Sequence, residues 1–334
     1  MHTIRKIALL VSILLFSLNT ASAEAVPSPG KYNLSVTALF GFLYGQSDEI
    51  VYKYSNSDLY GSELLWDIKP VFYTGIGLLL GPMDPFANHG FVSESSLKCG
   101  IPIKSGTIED RDWLGERHEY LTHYSRHDAY SRMSLQADIS AGYSWHLGRF
   151  LSLSAFGEFS YMYFSWSARD GYKQYSTSTN SSGDVLPWDS SIPKVSISGE
   201  GILYKQNWFM LSPGFSLKGR LSRLFSVEGK FSYTPLIFCA DHDDHLMRVP
   251  PLVFRDYLFL GHYFQGGGKF LFSPTQSLGM HLGFSYRYIT GTRGPTYEQE
   301  ENGSTFKTSS NGAGVGFSAM NVELGVRMQI NGRR

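Results

Sequence analysis

The stretch Leu151-Ser152-Leu153-Ser154-Ala155-Phe156-Gly157-Glu158-Phe159-Ser160-Tyr161-Met162-Tyr163 decides the fold. Leu151, Leu153, Ala155, Gly157, Phe159, Tyr161 and Tyr163 alternate with a smaller or more polar set. Side chains along a strand point to opposite faces in turn, so this pattern gives one apolar face and one more polar face. The same alternation recurs along the chain, with turn residues between the runs. It predicts an all-β protein of about ten antiparallel strands. They are expected near 32–52, 63–80, 90–104, 133–146, 150–169, 201–220, 224–241, 256–272, 277–292 and 313–330.

The connections between these runs alternate in length. Long ones fall at 53–62, 105–132, 170–200, 242–255 and 293–312, and shorter ones at 81–89, 147–149, 221–223 and 273–276. Long external loops and short turns on the opposite side are the pattern of a transmembrane β-barrel of the outer membrane. The low-complexity stretch from Ser176 to Ser182 falls at a loop tip, where little fixed structure is expected.

Composition agrees. Aromatic residues make up 15% of the chain against 2 cysteines, and aromatic girdles account for such a bias. The formal net charge of zero gives no support for nucleic-acid binding. At the start, Arg5 and Lys6 precede an apolar run from Ile7 to Leu18, then Ala21-Ser22-Ala23. That is the form of a secretory signal peptide over 1–23, leaving 24–334 as one barrel domain. The run is shorter than the ~20 apolar residues a spanning helix needs. Cys99 and Cys239 either pair in an oxidising compartment or serve as small apolar residues.

Two acidic clusters carry the chemistry. Asp110 and Asp112 lie in the second long connection, and Asp241-His242-Asp243-Asp244-His245 opens the fourth. Loop lengths put both at the same rim, with Glu49 near the end of the first strand. Residues two apart share a strand face, so Asp110 pairs with Asp112, and Asp241, Asp243 and His245 form a set. An Asp beside a His orients the imidazole, and a neutral His can take a proton from water. Two crowded carboxylates can share a proton. The cluster alone admits three readings: solvated acids, a divalent-metal site, or a site that activates water.

Strand facing poses a difficulty. Phe225, Val227, Phe231, Tyr233, Ile237 and Cys239 read as lipid-facing, which puts Asp243 and His245 on the lipid side as well. A bulge would reverse this, and Pro235, which cannot donate to a ladder, is the candidate position.

At these residues the chain resembles the omptin family of outer-membrane proteases. Asp110-Arg111-Asp112-Trp113 stands where that family has Asp-x-Asp-Trp, and Asp241 to His245 where it has Asp-x-Asp-Glu-His. Supporting stretches occur in order: Glu49-Ile50-Val51-Tyr52, Ser125-Arg126-His127, Ser167 to Gly171, Tyr204-Lys205-Gln206 and Asn311 to Gly314. The resemblance implies a ten-stranded barrel whose active-site groove faces outside the cell. It implies Asp243 and His245 as a dyad, Asp110 and Asp112 as the facing acid pair, and water as the nucleophile. It also implies that Glu49 and Asp241 receive a basic side chain of a polypeptide substrate.

The expected activity is thus an aspartyl-type, omptin-like endopeptidase cutting after, or between, basic residues, with outer-membrane lipid around the barrel and no metal. The competing reading is a non-enzymatic surface barrel, either an adhesin or an inactive protease scaffold. All four catalytic matches are intact, which favours the enzyme. Omptins bind lipopolysaccharide through charged residues on the outer wall. The matching positions here are Tyr161, Tyr163, Asn207 and Phe259, with Phe159 beside them, so lipopolysaccharide is not expected as a required cofactor. Arg169 is expected to pair in the lumen with Glu158 or Glu200.

Overall fold

The computed structural model describes residues 32–54, 58–114, 120–299 and 304–330; the expected signal peptide lies outside the described residues. The described residues form fourteen strands: β1 (Tyr32–Tyr52), β2 (Tyr60–Pro82), β3 (Gly90–Gly100), β4 (Ile103–Asp112), β5 (His123–His146), β6 (Leu151–Tyr175), β7 (Val195–Arg220), β8 (Phe225–Thr234), β9 (Ile237–His245), β10 (Leu252–Phe259), β11 (His262–Phe272), β12 (Leu278–Thr290), β13 (Gly294–Gln299) and β14 (Thr305–Ile330). All belong to one antiparallel sheet, which β1 and β14 close from Leu34↔Ile330 to Val51↔Ala313.

Pairing resolves the sheet into two stacked rings of ten. The lower ring runs β1-β2-β3-β5-β6-β7-β8-β11-β12-β14. The upper ring runs β1-β2-β4-β5-β6-β7-β9-β10-β13-β14. Long strands pass through both. The rest of the circumference is built of pairs in which one strand stops and the next resumes: β3 and β4, β8 and β9, β11 and β10, β12 and β13. Closure leaves no free edge, which a sheet in lipid requires.

The rings have opposite polarity. On β1 the outward residues are Leu34, Val36, Ala38, Phe40, Phe42 and Tyr44, an apolar band; Gln46 and Asp48 follow on the same face. Inside the lower ring lie ion pairs: Arg287 with Asp138 at 2.7 Å, Lys98 with Glu323 at 2.6 Å, Lys269 with Glu94 at 2.9 Å, and Lys230 with Glu158. Inside the upper ring lie buried aromatics. Trp66 and Tyr204 stack at 5.3 Å, Trp166 lies 6.0 Å from each, and Phe164 bridges Trp166 and Phe317 at 5.2 Å. This plug fills the barrel beneath the rim, as the small diameter of ten strands demands.

Strands run further than the apolar alternation suggests. Asp110 and Asp112 are on β4, and Asp241 to His245 on β9, rather than in loops. The stretch at Ser176–Ser182 is also fixed: Asn180 Oδ1 accepts from the Ser182 and Asp184 amides at 2.9 and 3.0 Å. Arg169 does pair with Glu200, at 2.9 Å, but on the exposed surface; Glu158 takes Lys230 instead. Cys99 faces outward on β3 and Cys239 is buried inside the upper ring, so the two remain free thiols.

Between β8 and β9 the register against β7 changes from Gly214↔Ser232 to Met210↔Ile237, one residue more on the outer strand. Pro235 and Leu236 make up this bulge. Below it Ser232 and Thr234 face in; above it Ile237 and Cys239 do. Ile237 and Cys239 are therefore core residues, not lipid-facing ones, and Asp241, Asp243 and His245 turn inward with them.

A second bulge aims the other acid pair. The β4–β5 register shifts between Lys104 and Gly106, and the buried positions change from Ser105 to Ile108. Gly106 has φ of 118°, a region L side chains rarely adopt, and a Cβ there would lie 2.6 Å from the Cβ of Asp67. Asp67 in turn accepts from the Thr107 amide at 3.0 Å and its hydroxyl at 3.1 Å. Bulges re-aim side chains next to functional sites, and here each acidic cluster has its own.

Candidate active site

In the upper ring β5, β6 and β7 separate β4 from β9 on one side, so the two acidic clusters face each other across the barrel mouth. Glu49 enters from β1, paired with Val315 of β14. The structure brings Asp110, Asp112, Asp241, Asp243, His245 and Glu49 to one cleft, above the apolar band and on top of the aromatic plug.

On β9, His245 Nε2 lies 2.6 Å from Asp243 Oδ2. Its ring meets Phe254 of β10 edge-on at 5.5 Å. Burial works against a charged imidazole, but the Asp243 carboxylate more than offsets this, and the His245 pKa is raised. With Nε2 donating to Asp243, Nδ1 is the nitrogen left to accept a proton. Asp243 is only 2% exposed, and its Oδ1 has no partner among the described residues.

On β4, burial and then the neighbouring Asp112 push the Asp110 carboxyl up to about 7, with His245 and Ser125 pulling it down. Asp112 is raised as well, chiefly by burial. Ser125, opposite Asp110 on β5, places its Oγ 3.3 Å from Asp110 Oδ2 and 3.0 Å from His127 Nε2. His127 Nδ1 donates to the Asp170 carbonyl at 2.7 Å. Burial lowers the His127 pKa. Ser125 Oγ donates to Asp110 Oδ2, the bond that pulls the Asp110 pKa down, and His127 flanks the same hydroxyl from the other side. His127, which from sequence alone reads as a loop residue, is a support for the acid pair.

Glu49 and Asp241 form the other half of the cleft. Glu49 is 4% exposed, and burial, then Asp243, Asp241, Asp256 and Asp110, push its pKa well up. Asp241 Oδ2 accepts from Tyr204 OH at 3.0 Å and Oδ1 from the Asp256 amide at 3.1 Å. Tyr204 is held by Gln206, which also takes Ser47 and Trp208 Nε1.

Asp256 was not found from sequence. It is the cross-strand partner of Asp241 and is buried at 4% exposure. The signal was the hairpin itself: once the turn between His245 and Leu252 is placed, pairing sets Asp256 opposite Asp241. Among the described residues, no group of three or more His, Cys, Asp or Glu side chains is arranged to hold a metal ion.

The outer wall near the join of the rings is apolar. Phe159, Phe209, Leu236, Phe238 and Phe259 line a shallow groove there. Tyr161 OH donates to Asn207 Oδ1 at 3.0 Å, so the two polar groups in this region bond to each other.

Comparison with known proteins gives three findings. The sequence profile of the Omptin family matches residues 30–330. A plasminogen activator of Yersinia pestis is 24% identical over 332 residues, covering 97% of this chain and 98% of that protein. The crystal structure of the outer membrane protease OmpT from Escherichia coli superposes with a TM-score of 0.79 at 19% identity, covering 92% of this chain and 100% of that one. The last shows the same fold.

Proposed function

The chain belongs to the Omptin family of bacterial outer-membrane proteases, and on that premise we propose that it is an endopeptidase cutting after basic residues with a water nucleophile. The cleft faces outside the cell in this reading, because the long hairpins and the acids share one end of the barrel. The observation that carries the mechanism is the 2.6 Å contact of Asp243 with His245, with the Asp110–Asp112 pair of β4 facing it across the cleft.

Water sits between the dyad and the pair. His245 Nδ1 takes a proton from it as its oxygen attacks the scissile carbonyl carbon. Asp243 stabilises the imidazolium that forms. Asp110 and Asp112 hold the water, and the proton on Asp110 meets the charge developing on the carbonyl oxygen. When the C–N bond breaks, imidazolium returns its proton to the leaving amine, and the second water-derived proton leaves on the new carboxyl group, which releases it to solvent. Glu49 and Asp241, at the edge of the same cleft, attract the positive side chain preceding the scissile bond. A carboxylate pairs with Lys or Arg, and Arg gains a bidentate grip.

The test is a fluorogenic assay of protein folded in detergent, with peptides containing Arg-Arg or Lys-Lys and neutral counterparts. Cleavage on the carboxyl side of the basic residue is expected, unaffected by a strong chelator and present without added lipopolysaccharide. Cleavage of the neutral peptides alone would overturn the specificity. Loss with chelator, restored by a divalent ion, would favour the metal reading. Strict dependence on lipopolysaccharide would contradict the reading of the apolar outer wall.

A further inference from the structure

Asp241 is the acid the sequence pattern offers for specificity, and each of its oxygens already accepts one bond. One accepts from Tyr204 OH and the other from the Asp256 amide. These bonds fix the plane of the carboxylate. Around the cleft, the buried carboxylate oxygens with no donor among the described residues are Glu49 Oε2 and Asp256 Oδ1, beside Asp243 Oδ1 of the dyad. A buried carboxylate oxygen without a donor costs free energy and calls for one.

We infer that Asp256 is a third specificity carboxylate, which beside Asp241 and together with Glu49 contacts the substrate's basic side chain directly. The inference rests on the proposed cleavage after basic residues and deepens it. Asp256 stands opposite Asp241 on the neighbouring strand and next to it on the inward face is Leu258, fully buried, so the carboxylate lies at the boundary of plug and cleft. Thr296, its cross-strand partner on β13, bonds to the side chain and leaves the other oxygen free. Glu49 comes from β1, and the two feel each other's charge.

An arginine fits this arrangement. Its planar group carries N–H donors along more than one edge and can serve two carboxylates at once. A lysine ammonium is a point charge with three donors on a flexible stem, and serves both only from a position between them. The substrate class is therefore a peptide with Arg, ahead of Lys, before the scissile bond.

The experiment uses the full chain folded in detergent and three peptides that differ only at that position: Arg, Lys and citrulline, the neutral isostere of Arg. Losing one partner of a buried charge pair costs ~2 kcal/mol or more, so Asp256→Asn is expected to cut the Arg-over-citrulline preference about 30-fold, carried by KM. Asp256→Glu is expected to restore part of it. A ratio unchanged in Asp256→Asn overturns the inference, as does an equal fall on all three peptides. To separate binding from chemistry, the Arg peptide is titrated by anisotropy against His245→Ala and against His245→Ala with Asp256→Ser. Equal Kd values would also overturn it. If wild-type protein fails to cut the Arg peptide at all, the proposed function fails instead, and the two failures are distinguished.

Discussion

His245→Ala is expected to lower peptide hydrolysis by about 10²–10⁴-fold, the range that a positioned general base contributes, while the barrel stays folded. The imidazole contacts Asp243 and the edge of Phe254. It belongs to the cleft, above the aromatic plug that holds the upper ring. Removing it therefore takes away the proton acceptor without opening the core. The heat-dependent gel mobility of the folded barrel reports folding, and peptide cleavage reports chemistry. Cleavage at the wild-type rate in folded His245→Ala would sink the mechanism.

The same group sets the acid side of the pH profile. A protonated ring cannot accept a proton from water, so kcat/KM should fall as pH drops through the His245 pKa. Asp243 outweighs burial and raises that pKa above the ordinary 6.5. In Asp243→Asn burial and Arg248 lower the pKa against Asp110 alone, so the acid limb should move to lower pH as the rate drops. A limb that stays in place would show that another group controls it.

Asp110→Asn combined with Asp112→Asn is expected to cost activity on the same scale, about 10²–10⁴-fold, yet to stabilise the barrel at neutral pH. The Asp110 pKa is raised from 3.8 to about 7 by burial and by Asp112. Well below pH 3.8 the carboxyl is protonated folded or unfolded, and no cost arises. As pH climbs towards 7 the unfolded chain ionises first, and the folded state is penalised. Above pH 7 the full cost is reached, roughly 2–4 kcal/mol for a half-buried group with some access to water. Asparagine does not titrate, so the variant should gain at pH 8 and lose most of that gain at pH 4. Unfolding by denaturant in detergent at both pH values measures it; equal gaps at both would refute the buried-acid account. Opposite signs for activity and stability mark a site that is costly to build.

The lower ring was legible because lipid outside and charges inside impose the apolar alternation that Leu151 to Tyr163 shows. Above Tyr44 that signal inverts. Outward residues become polar, such as Glu109, Arg111 and His242, while Trp66 and Trp166 turn inward. Strands therefore looked shorter than they are, and the acids looked as if they lay in loops. Facing at β9 stays open in the sequence for a different reason: strict alternation cannot count the extra residue at Pro235 and Leu236, although Pro235 marks the place. Asp256 escaped because a cross-strand partner is fixed only when the turn between His245 and Leu252 is placed.

The bulge at Pro235 and Leu236 carries a consequence for how this chain can change. Paired residues share a face, so Asp243 points inward because its partner Tyr204 does. Deleting one residue between Thr234 and Ile237 would regularise the strand, keep its pairing with β7 and leave Asp243 and His245 inward. With both residues present, a strand that lost the bulge would slip by one against β7 and turn the dyad outward. The rim can therefore lose the extra residue, but it cannot keep that residue and lose the bulge.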